Sequence, residues 1–189
     1  MELRQRLHDV DDLWKLGMQD EHKDKDYELI DGVLIEMTKP GGRHGKLVIR
    51  LGRYLDIFVE DNLLGHVTTE TGYFLADDRH TMLAPDLAFI SFEKAPDPFP
   101  EKWIPAMPNL AVEIRSPGNS IGELRKKAQV YLRLGATLVW IIIPASQKVE
   151  VWRMQEDGTF TDETLAAADA LSGEDVLPGF QLGLSALFA

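Results

Sequence analysis

The stretch "NLAVEIRSPGNSIGELRKK", residues 109–127, runs from an apolar segment into a basic one and decides the fold. Its first half predicts a β-strand, in which alternate side chains point to opposite faces. The apolar residues that share one face are Leu110, Val112 and Ile114. Glu113 and Arg115 share the other face and lie about 7 Å apart along it. One face of this strand therefore belongs to a core, and the other carries charge.

A helix is predicted directly after this strand. Ser120 and Glu123 form the S-x-x-E pattern of a capping box, and Gly135 is a typical C-terminal cap. The apolar stretch "TLVWIII" (137–143) follows, as expected of a central strand that is buried on both faces. The chain thus alternates strand, helix and strand over residues 109–143.

The rest of the chain divides into shorter elements. Asp31 and Gly32 form a tight-turn dipeptide between two alternating runs, which predicts a two-residue hairpin. Apolar residues recur at helical spacing from Arg43 to Glu60, which predicts a long amphipathic helix packed on a sheet. The remaining predicted elements are a short helix at 10–17, strands at 66–75 and 85–92, and a proline-rich loop at 93–109 between two strands.

The composition is that of one globular domain. The chain has 189 residues, of which 44% are hydrophobic, so it can bury one sizeable core. We expect one domain over residues 1–189, with an N-terminal helix and connector at 1–25 and a C-terminal extension at 155–189. The absence of cysteine excludes disulfide frameworks, thiolate metal sites and catalytic cysteines. The sequence has no signal-peptide pattern and no membrane-spanning apolar stretch, so we expect a soluble, cytoplasmic protein.

The charge is strongly acidic overall but unevenly distributed. The formal net charge is -11, which at long range repels nucleic-acid phosphates. The locally clustered basic residues are Arg43, Lys46, Arg50 and Arg53 in one segment and Arg125, Lys126 and Lys127 in another. A basic face on an acidic body is therefore compatible with the sequence.

Two carboxylates lie on predicted strands and need partners there. Asp86 begins the strand "PDLAFI", and Glu113 lies on the strand within residues 109–115. A buried carboxylate without a partner costs several kcal/mol, so each acid needs a cation, a metal ion or a sheet edge. If the proline-rich loop folds the two strands side by side, both acids can hold one divalent cation, which prefers oxygen ligands.

Six segments, taken together and in order, carry a family resemblance. They are "YELIDGVLIEM", "GGRHGKLVIRL", "PDLAFI", "PNLAVEIRSPGNS", "LRKKAQVYLRLGATLVWIIIP" and "LPGFQLGLSALF". Over nearly its whole length the chain resembles the Uma-two family of bacterial restriction-endonuclease-like proteins, and its acid and acid-x-base pattern resembles the PD-(D/E)XK nuclease superfamily. The resemblance implies an α/β restriction-endonuclease-like fold, with a mixed central sheet flanked by helices. It also implies phosphodiester chemistry that depends on Mg2+ (or Mn2+).

This chain departs from the superfamily pattern at the basic position. The superfamily has a lysine two residues after the acid, where this chain has Arg115, which stays protonated and is a poor proton acceptor. The resemblance suggests that the lysine has moved to the following helix. On a helical wheel Lys127 lies about 60° from the centre of the apolar face and can reach inward, whereas Lys126 points away.

Each of these site residues also has a structural interpretation. Glu113 and Arg115 could form an ion pair on an exposed sheet face. Asp86 could be a strand-start residue that accepts turn amides, and Lys127 an ordinary flanking lysine whose stem covers the core.

Three further residues were assigned from their surroundings. Glu28, in the first hairpin, is either a third carboxylate of the site or an exposed acid. His44, at the start of the long helix, is interpreted as a surface histidine rather than a phosphate ligand. Trp103, in the proline-rich loop, is interpreted as structural.

The leading hypothesis is a metal-dependent DNA endonuclease in which Asp86 and Glu113 hold Mg2+. Lys127 would position or deprotonate the attacking water, with Arg115 beside the phosphate and Glu28 as an additional catalytic acid. DNA is the expected partner and no membrane is involved. We expect a homodimer, since two active sites related by a twofold axis can cut both strands of a duplex. The alternative is a non-catalytic binding or assembly module with the same fold, which Arg115 and the acidic net charge favour.

Overall fold

The main sheet is built around the strand at residues 110–114. The structure is a computed structural model and describes residues 7–189; residues 1–6 of the predicted N-terminal helix and connector lie outside them. From edge to edge, the main-sheet strands are β10 (Phe160–Leu165), β9 (Lys148–Met154), β8 (Leu138–Ile143), β7 (Leu110–Ile114), β6 (Leu87–Ser91) and β3 (Gly65–Thr68). Strands β7 and β8 run parallel, and the other neighbouring pairs of this sheet are antiparallel. The mixed sheet confirms the predicted fold class.

A helix supplies the crossover that the parallel pair requires. This helix, α3, spans Ile121–Arg133 and begins at the predicted capping box, in which Ser120 and Glu123 bond each other reciprocally. Gly135 follows the helix with φ of 102°, a left-handed conformation in which glycine is not strained. All six residues of β8 are buried, as predicted for a central strand.

The two faces of the sheet bury different sets of side chains. Leu110, Val112 and Ile114 face the long helix α2 (Gly42–Asp61), whose buried residues include Leu51. The opposite face packs against α3; its buried residues include Ala88, Ile90, Ala111, Leu124, Ala128 and Tyr131. The alternation predicted for β7 is therefore confirmed.

A second, smaller sheet lies beside the main one. Its strands, in spatial order, are β2 (Val33–Met37), β1 (Asp26–Ile30), β5 (Met82–Leu83) and β4 (Tyr73–Phe74). The predicted hairpin connects β1 to β2, and both turn residues have positive φ, 49° at Asp31 and 77° at Gly32, as a type I′ turn requires. Helix α1 (Val10–Gly17) packs on this sheet through Val10, Leu13 and Leu16.

The single strand predicted at 66–75 is wrong. The segment divides into β3 and β4, which belong to different sheets. It bends between them because Thr69 bonds the carbonyl of Asp86, the Glu70 N–H bonds the carbonyl of Pro85, and Glu70 takes a positive φ of 50°. Periodicity alone does not mark a strand that changes sheets.

The C-terminal residues close one side of the core. After β10 the chain forms β11 (Ala170–Ser172), β12 (Gln181–Gly183) and α4 (Leu184–Phe188). Apolar residues of this region that join the cluster under α2 are Leu171, Leu177, Phe180, Leu182, Leu184 and Leu187. No helix among residues 7–189 has the length and apolar character that crossing a membrane would demand.

The basic residues of α2 make contacts within the protein. Arg50 donates to the carbonyl of Leu187 at 2.9 Å, and Lys46 donates to that of Ala189 at 3.1 Å. Arg43 donates to the carbonyl of Pro144 at 2.6 Å. Cations beside the last carbonyls of a helix satisfy acceptors that the helix leaves unpaired. Three of the four cations predicted to form a basic face thus hold other parts of the chain in place.

Leu51→Ala should destabilise the protein by about 2–5 kcal/mol, because it removes a side chain that α2 buries completely, at 0% exposure. Ile49→Ala is the matched control on the same helix, since Ile49 is 76% exposed and its truncation should cost less than about 0.5 kcal/mol. Urea unfolding measures both changes. Equal losses for the two variants would contradict the assigned inner face of α2.

Candidate active site

The site begins where two antiparallel strands bring two acids together. Leu87 pairs with Val112, and this register, continued by one residue, places Asp86 opposite Glu113. Asp86 Oδ2 accepts a hydrogen bond from the N–H of Ile114 at 2.5 Å. The β6–β7 backbone pairing ends at Leu87, and beyond it the Asp86 side chain, rather than a backbone carbonyl, accepts the hydrogen bond from β7. This bond fixes the position of the Asp86 carboxylate.

Lys127 joins the two sheets at this point. Its Nζ lies 2.8 Å from Glu113 Oε1 on β7 and 2.7 Å from Glu28 Oε1 on β1. Glu28 also accepts a hydrogen bond from the N–H of Ala84 at 2.8 Å. The Lys127 side chain is 10% exposed, so this ammonium is buried between one carboxylate from each sheet.

Tyr131 lies one helical turn after Lys127 and contacts the same carboxylate. Its hydroxyl donates to Glu113 Oε1 at 2.8 Å. Glu113 Oε1 therefore has two donors, whereas Oε2 accepts no hydrogen bond from residues 7–189. The same holds for Asp86, whose Oδ2 has the protein partners and whose Oδ1 has none in the described part of the chain.

His44 fixes Asp86 from the other side. It lies in the first turn of α2, is 6% exposed, and has its Nε2 3.0 Å from Asp86 Oδ2. Its Nδ1 is buried without a hydrogen-bond partner among the described residues. The hydrogen bond to Asp86 outweighs burial and raises the pKa of His44, so a proton on Nε2 is retained for this contact.

The charges of the cluster do not balance. Burial raises the pKa of Glu113 to about 8; Lys127 acts in the opposite direction, and the negative charges of Asp86 and Glu28 raise it further. Burial works against the charge of Lys127, but the attraction of Glu113 and Glu28 is larger and raises its pKa. Three carboxylates around one ammonium leave an excess of negative charge, which a proton or an added cation can offset.

The acids line a cleft of about 320 Å³ between the two sheets. Its lining includes Glu28, His44, Asp86 and Glu113, together with Glu70 and Trp103. Within residues 7–189, no three His, Asp or Glu side chains are grouped so that they alone could hold a metal ion. Mg2+ commonly takes one or two carboxylates and keeps several waters, so the pair Asp86 and Glu113, each with one oxygen unpartnered in residues 7–189, fits this ion.

The structure brings four of the five candidate residues together and leaves one apart. Asp86, Glu113, Lys127 and Glu28 form the cluster. Arg115 follows the end of β7, donates from Nε to the carbonyl of Asn119 at 3.1 Å, and is not among the described residues that line the cleft. Its N–H bonds the carbonyl of Ile142. Arg115 therefore braces the loop that leads to α3.

The interpretation of Glu28 as an exposed acid is wrong, because Glu28 is 2% exposed. The sequence contains no local signal for this burial. Glu28 is covered because β1 pairs with β5 and because Lys127 approaches from α3, and both partners are distant along the chain.

Two residues of the site were missed. His44 was interpreted as a surface residue, yet it precedes the buried Leu47, Val48 and Leu51 by three, four and seven positions and so lies on the apolar face of α2. Tyr131 was not among the residues that the sequence analysis selected for the site. Its spacing of four residues from Lys127 would have indicated that the two side chains lie on the same face of α3.

Comparisons with known proteins agree with this architecture. The model of the Uma2 family, described as "Putative restriction endonuclease", matches residues 10–185. A crystal structure of a putative nuclease belonging to DUF820 from Anabaena variabilis superposes with a TM-score of 0.78 at 18% identity, covering 95% of this chain and 97% of that one. A search of curated proteins found no match. The resemblance inferred from the sequence is thus confirmed, and the fold is that of a nuclease-like protein. The chain belongs to the Uma2 family of restriction-endonuclease-like proteins.

Proposed function

We propose that the protein is a metal-dependent DNA endonuclease of the PD-(D/E)XK type, in which Asp86 and Glu113 hold Mg2+ or Mn2+. The observation that carries this proposal is the pairing of these two acids on adjacent strands at the bottom of a cleft. Each has one oxygen held by the protein and one that accepts no hydrogen bond from residues 7–189. The excess negative charge around them favours a cation at this point.

The metal ion would supply Lewis-acid activation of water and neutralise charge on the phosphate. The chain's own residues would orient the ligands. His44 holds Asp86 through Oδ2, while Lys127 and Tyr131 hold Glu113 through Oε1. Preorganised groups of this kind need not rearrange during the reaction.

Lys127 fits a positioning and charge-stabilising role better than that of a base. Its ammonium contacts two carboxylates, and its raised pKa keeps it protonated. A protonated lysine can donate hydrogen bonds to a water or a phosphate oxygen but cannot accept a proton. Of the two roles that the sequence left open for Lys127, positioning is the one proposed here.

One observation favours the alternative of a non-catalytic module. Lys127 bridges Glu28 and Glu113 without any metal ion, so this part of the cluster can hold the two sheets together by itself. The two functions differ in whether the wild-type protein binds a divalent cation at Asp86 and Glu113.

Asp86→Asn and Glu113→Gln should each abolish Mn2+ binding and the cleavage of DNA, offered both as duplex plasmid and as a single-stranded circle, because the amide keeps the volume and removes the ligand charge. Calorimetric titration measures binding, and gel electrophoresis measures cleavage. Glu60→Gln, an exposed position on α2 that does not line the cleft, is the matched control and should behave as wild type. If the wild type binds no Mn2+, the protein is the non-catalytic module instead.

Lys127→Gln should lower the cleavage rate about 10²-fold to 10³-fold, as expected on losing one preorganised donor that stabilises charge in the site. Lys126→Gln is the matched control, because Lys126 is the exposed neighbour on the same helix. Arg115→Lys should retain activity, since Arg115 bonds the carbonyl of Asn119 rather than an acid of the site. Thermal unfolding is measured first, and the cleavage rates are then compared at a temperature at which all variants are folded.

A Lys127→Gln variant that is folded and cuts at the wild-type rate would contradict the role proposed for Lys127. If Arg115→Lys loses activity instead, the positively charged side chain that cleavage requires is that of Arg115.

The stability of the metal-free protein should depend on pH through Glu113. The folded protein holds a proton on this acid up to pH of about 8, whereas the unfolded chain releases it near the ordinary pKa of 4.5. The contribution of protonated Glu113 to the free energy of unfolding is therefore fully present below pH 4.5 and is lost as the pH rises through about 8. Relative to Glu113→Gln, the wild type should lose unfolding free energy between about pH 5 and about pH 8, as measured by urea unfolding in EDTA. A difference that does not change over this interval would contradict the raised pKa.

A further inference from the structure

We infer that the cleft binds single-stranded DNA, and that one base of this DNA stacks on Trp103 beside the phosphate that is cut. This inference rests on the proposed function, because it assigns the substrate class of the same site. Trp103 lines the cleft that also contains Asp86 and Glu113, and its side chain is half-buried.

The indole is close to the acids because one short segment connects them. Thr69 bonds the carbonyl of Asp86 at 2.8 Å, and Gly72 accepts a hydrogen bond from the N–H of Ile104, the residue after Trp103, at 2.9 Å. Three Cα-to-Cα steps separate Thr69 from Gly72, which is at most about 11 Å. The segment that carries Trp103 is therefore connected through residues 69–72 to the strand end that carries Asp86, and both side chains line the same cleft.

The indole is held in a fixed orientation. A Cβ atom on Gly72 would lie 2.7 Å from Trp103 Cδ1 and 2.8 Å from Met82 Sδ, so only glycine allows the ring to lie this close to the backbone. Trp14 packs edge-to-face against Trp103 with 5.2 Å between ring centroids. An aromatic side chain that is already held in one orientation loses little conformational entropy when a base stacks on it. Such stacking contributes about 1–3 kcal/mol per base to the binding free energy.

The site is too recessed for a rigid duplex. Glu113 is 4% exposed at the bottom of a cleft that lies between two sheets. In a duplex the base faces are already stacked on each other and cannot contact an indole. An unpaired nucleotide can bend into the cleft and present both its phosphate and its base face.

The charge distribution also favours stacking over broad phosphate contact. Proteins that bind duplex DNA through its backbone use an extended basic surface. Here the net charge is -11, and Arg43, Lys46 and Arg50 of α2 bond carbonyl groups of the protein. Two lysines do line the cleft: Lys39 pairs with Asp26 at 2.5 Å, and Lys25 pairs with Glu36 at 3.0 Å. Such exposed pairs are weak and can exchange a carboxylate for a phosphate.

The test compares fluorescein-labelled oligothymidylate with the same strand annealed to oligodeoxyadenylate. Fluorescence anisotropy with the full chain in EDTA measures binding without cleavage. The single strand should bind at least about tenfold more tightly than the duplex. Trp103→Ala should weaken single-strand binding about 5-fold to 150-fold, the range that corresponds to the loss of one stacked base.

Two further variants keep the result interpretable. Trp103→Phe should restore most of the affinity because it retains an aromatic face. Phe92→Ala is the control, since Phe92 is an exposed aromatic side chain that does not line the cleft, and its binding should be close to wild type. Equal affinity for duplex and single strand, or unchanged binding by Trp103→Ala, would overturn the inference.

The outcome also separates this inference from the proposed function. If Trp103→Ala cuts duplex plasmid in Mn2+ as fast as wild type while Glu113→Gln is inactive, the unpaired substrate is wrong and the nuclease stands. If the wild type cuts neither form of DNA but binds single strands through Trp103, the nuclease is wrong and the unpaired ligand stands.

Discussion

The buried ammonium of Lys127 holds the two sheets of this protein together. It lies 2.7 Å from Glu28 on the smaller sheet and 2.8 Å from Glu113 on the main one. Removing one partner of a buried ion pair costs about 3–5 kcal/mol, because the remaining charge stays buried without compensation. Both partners of Lys127 line the cleft, so the interaction that joins the sheets also holds two acids of the site in place.

The chemistry of the site follows from the same constraint. Asp86 and Glu113 are opposite each other because β6 and β7 are antiparallel neighbours, and each is held by one oxygen only. One lysine and one histidine do not neutralise the acids gathered here, and burial raises the pKa of Glu113 to about 8. In the function proposed above, a divalent cation would offset this excess of negative charge.

Local sequence patterns predicted the parts of the site that depend on local structure. The alternation in β7 separated Glu113 from the core, and the helical wheel directed Lys127 inward and Lys126 outward. Contacts between distant segments were not predictable in this way. The burial of Glu28 depends on β5 and α3, and the bend at residues 69–72 depends on Asp86. Lys46 and Arg50 of α2 bond C-terminal residues rather than forming a free basic face. His44 is an intermediate case. Its helical spacing indicated that it lies on the buried face of α2, but no local pattern indicated its contact with Asp86.

The central claim is that Asp86 and Glu113 share one divalent cation. A crystal of the protein soaked with Mn2+ tests it most directly, by the anomalous scattering of the metal. The account predicts one strong peak within about 2.0–2.3 Å of an oxygen of each carboxylate, with Lys127 still bridging Glu28 and Glu113. A cleft without an anomalous peak, or a peak bound by other residues only, would contradict it.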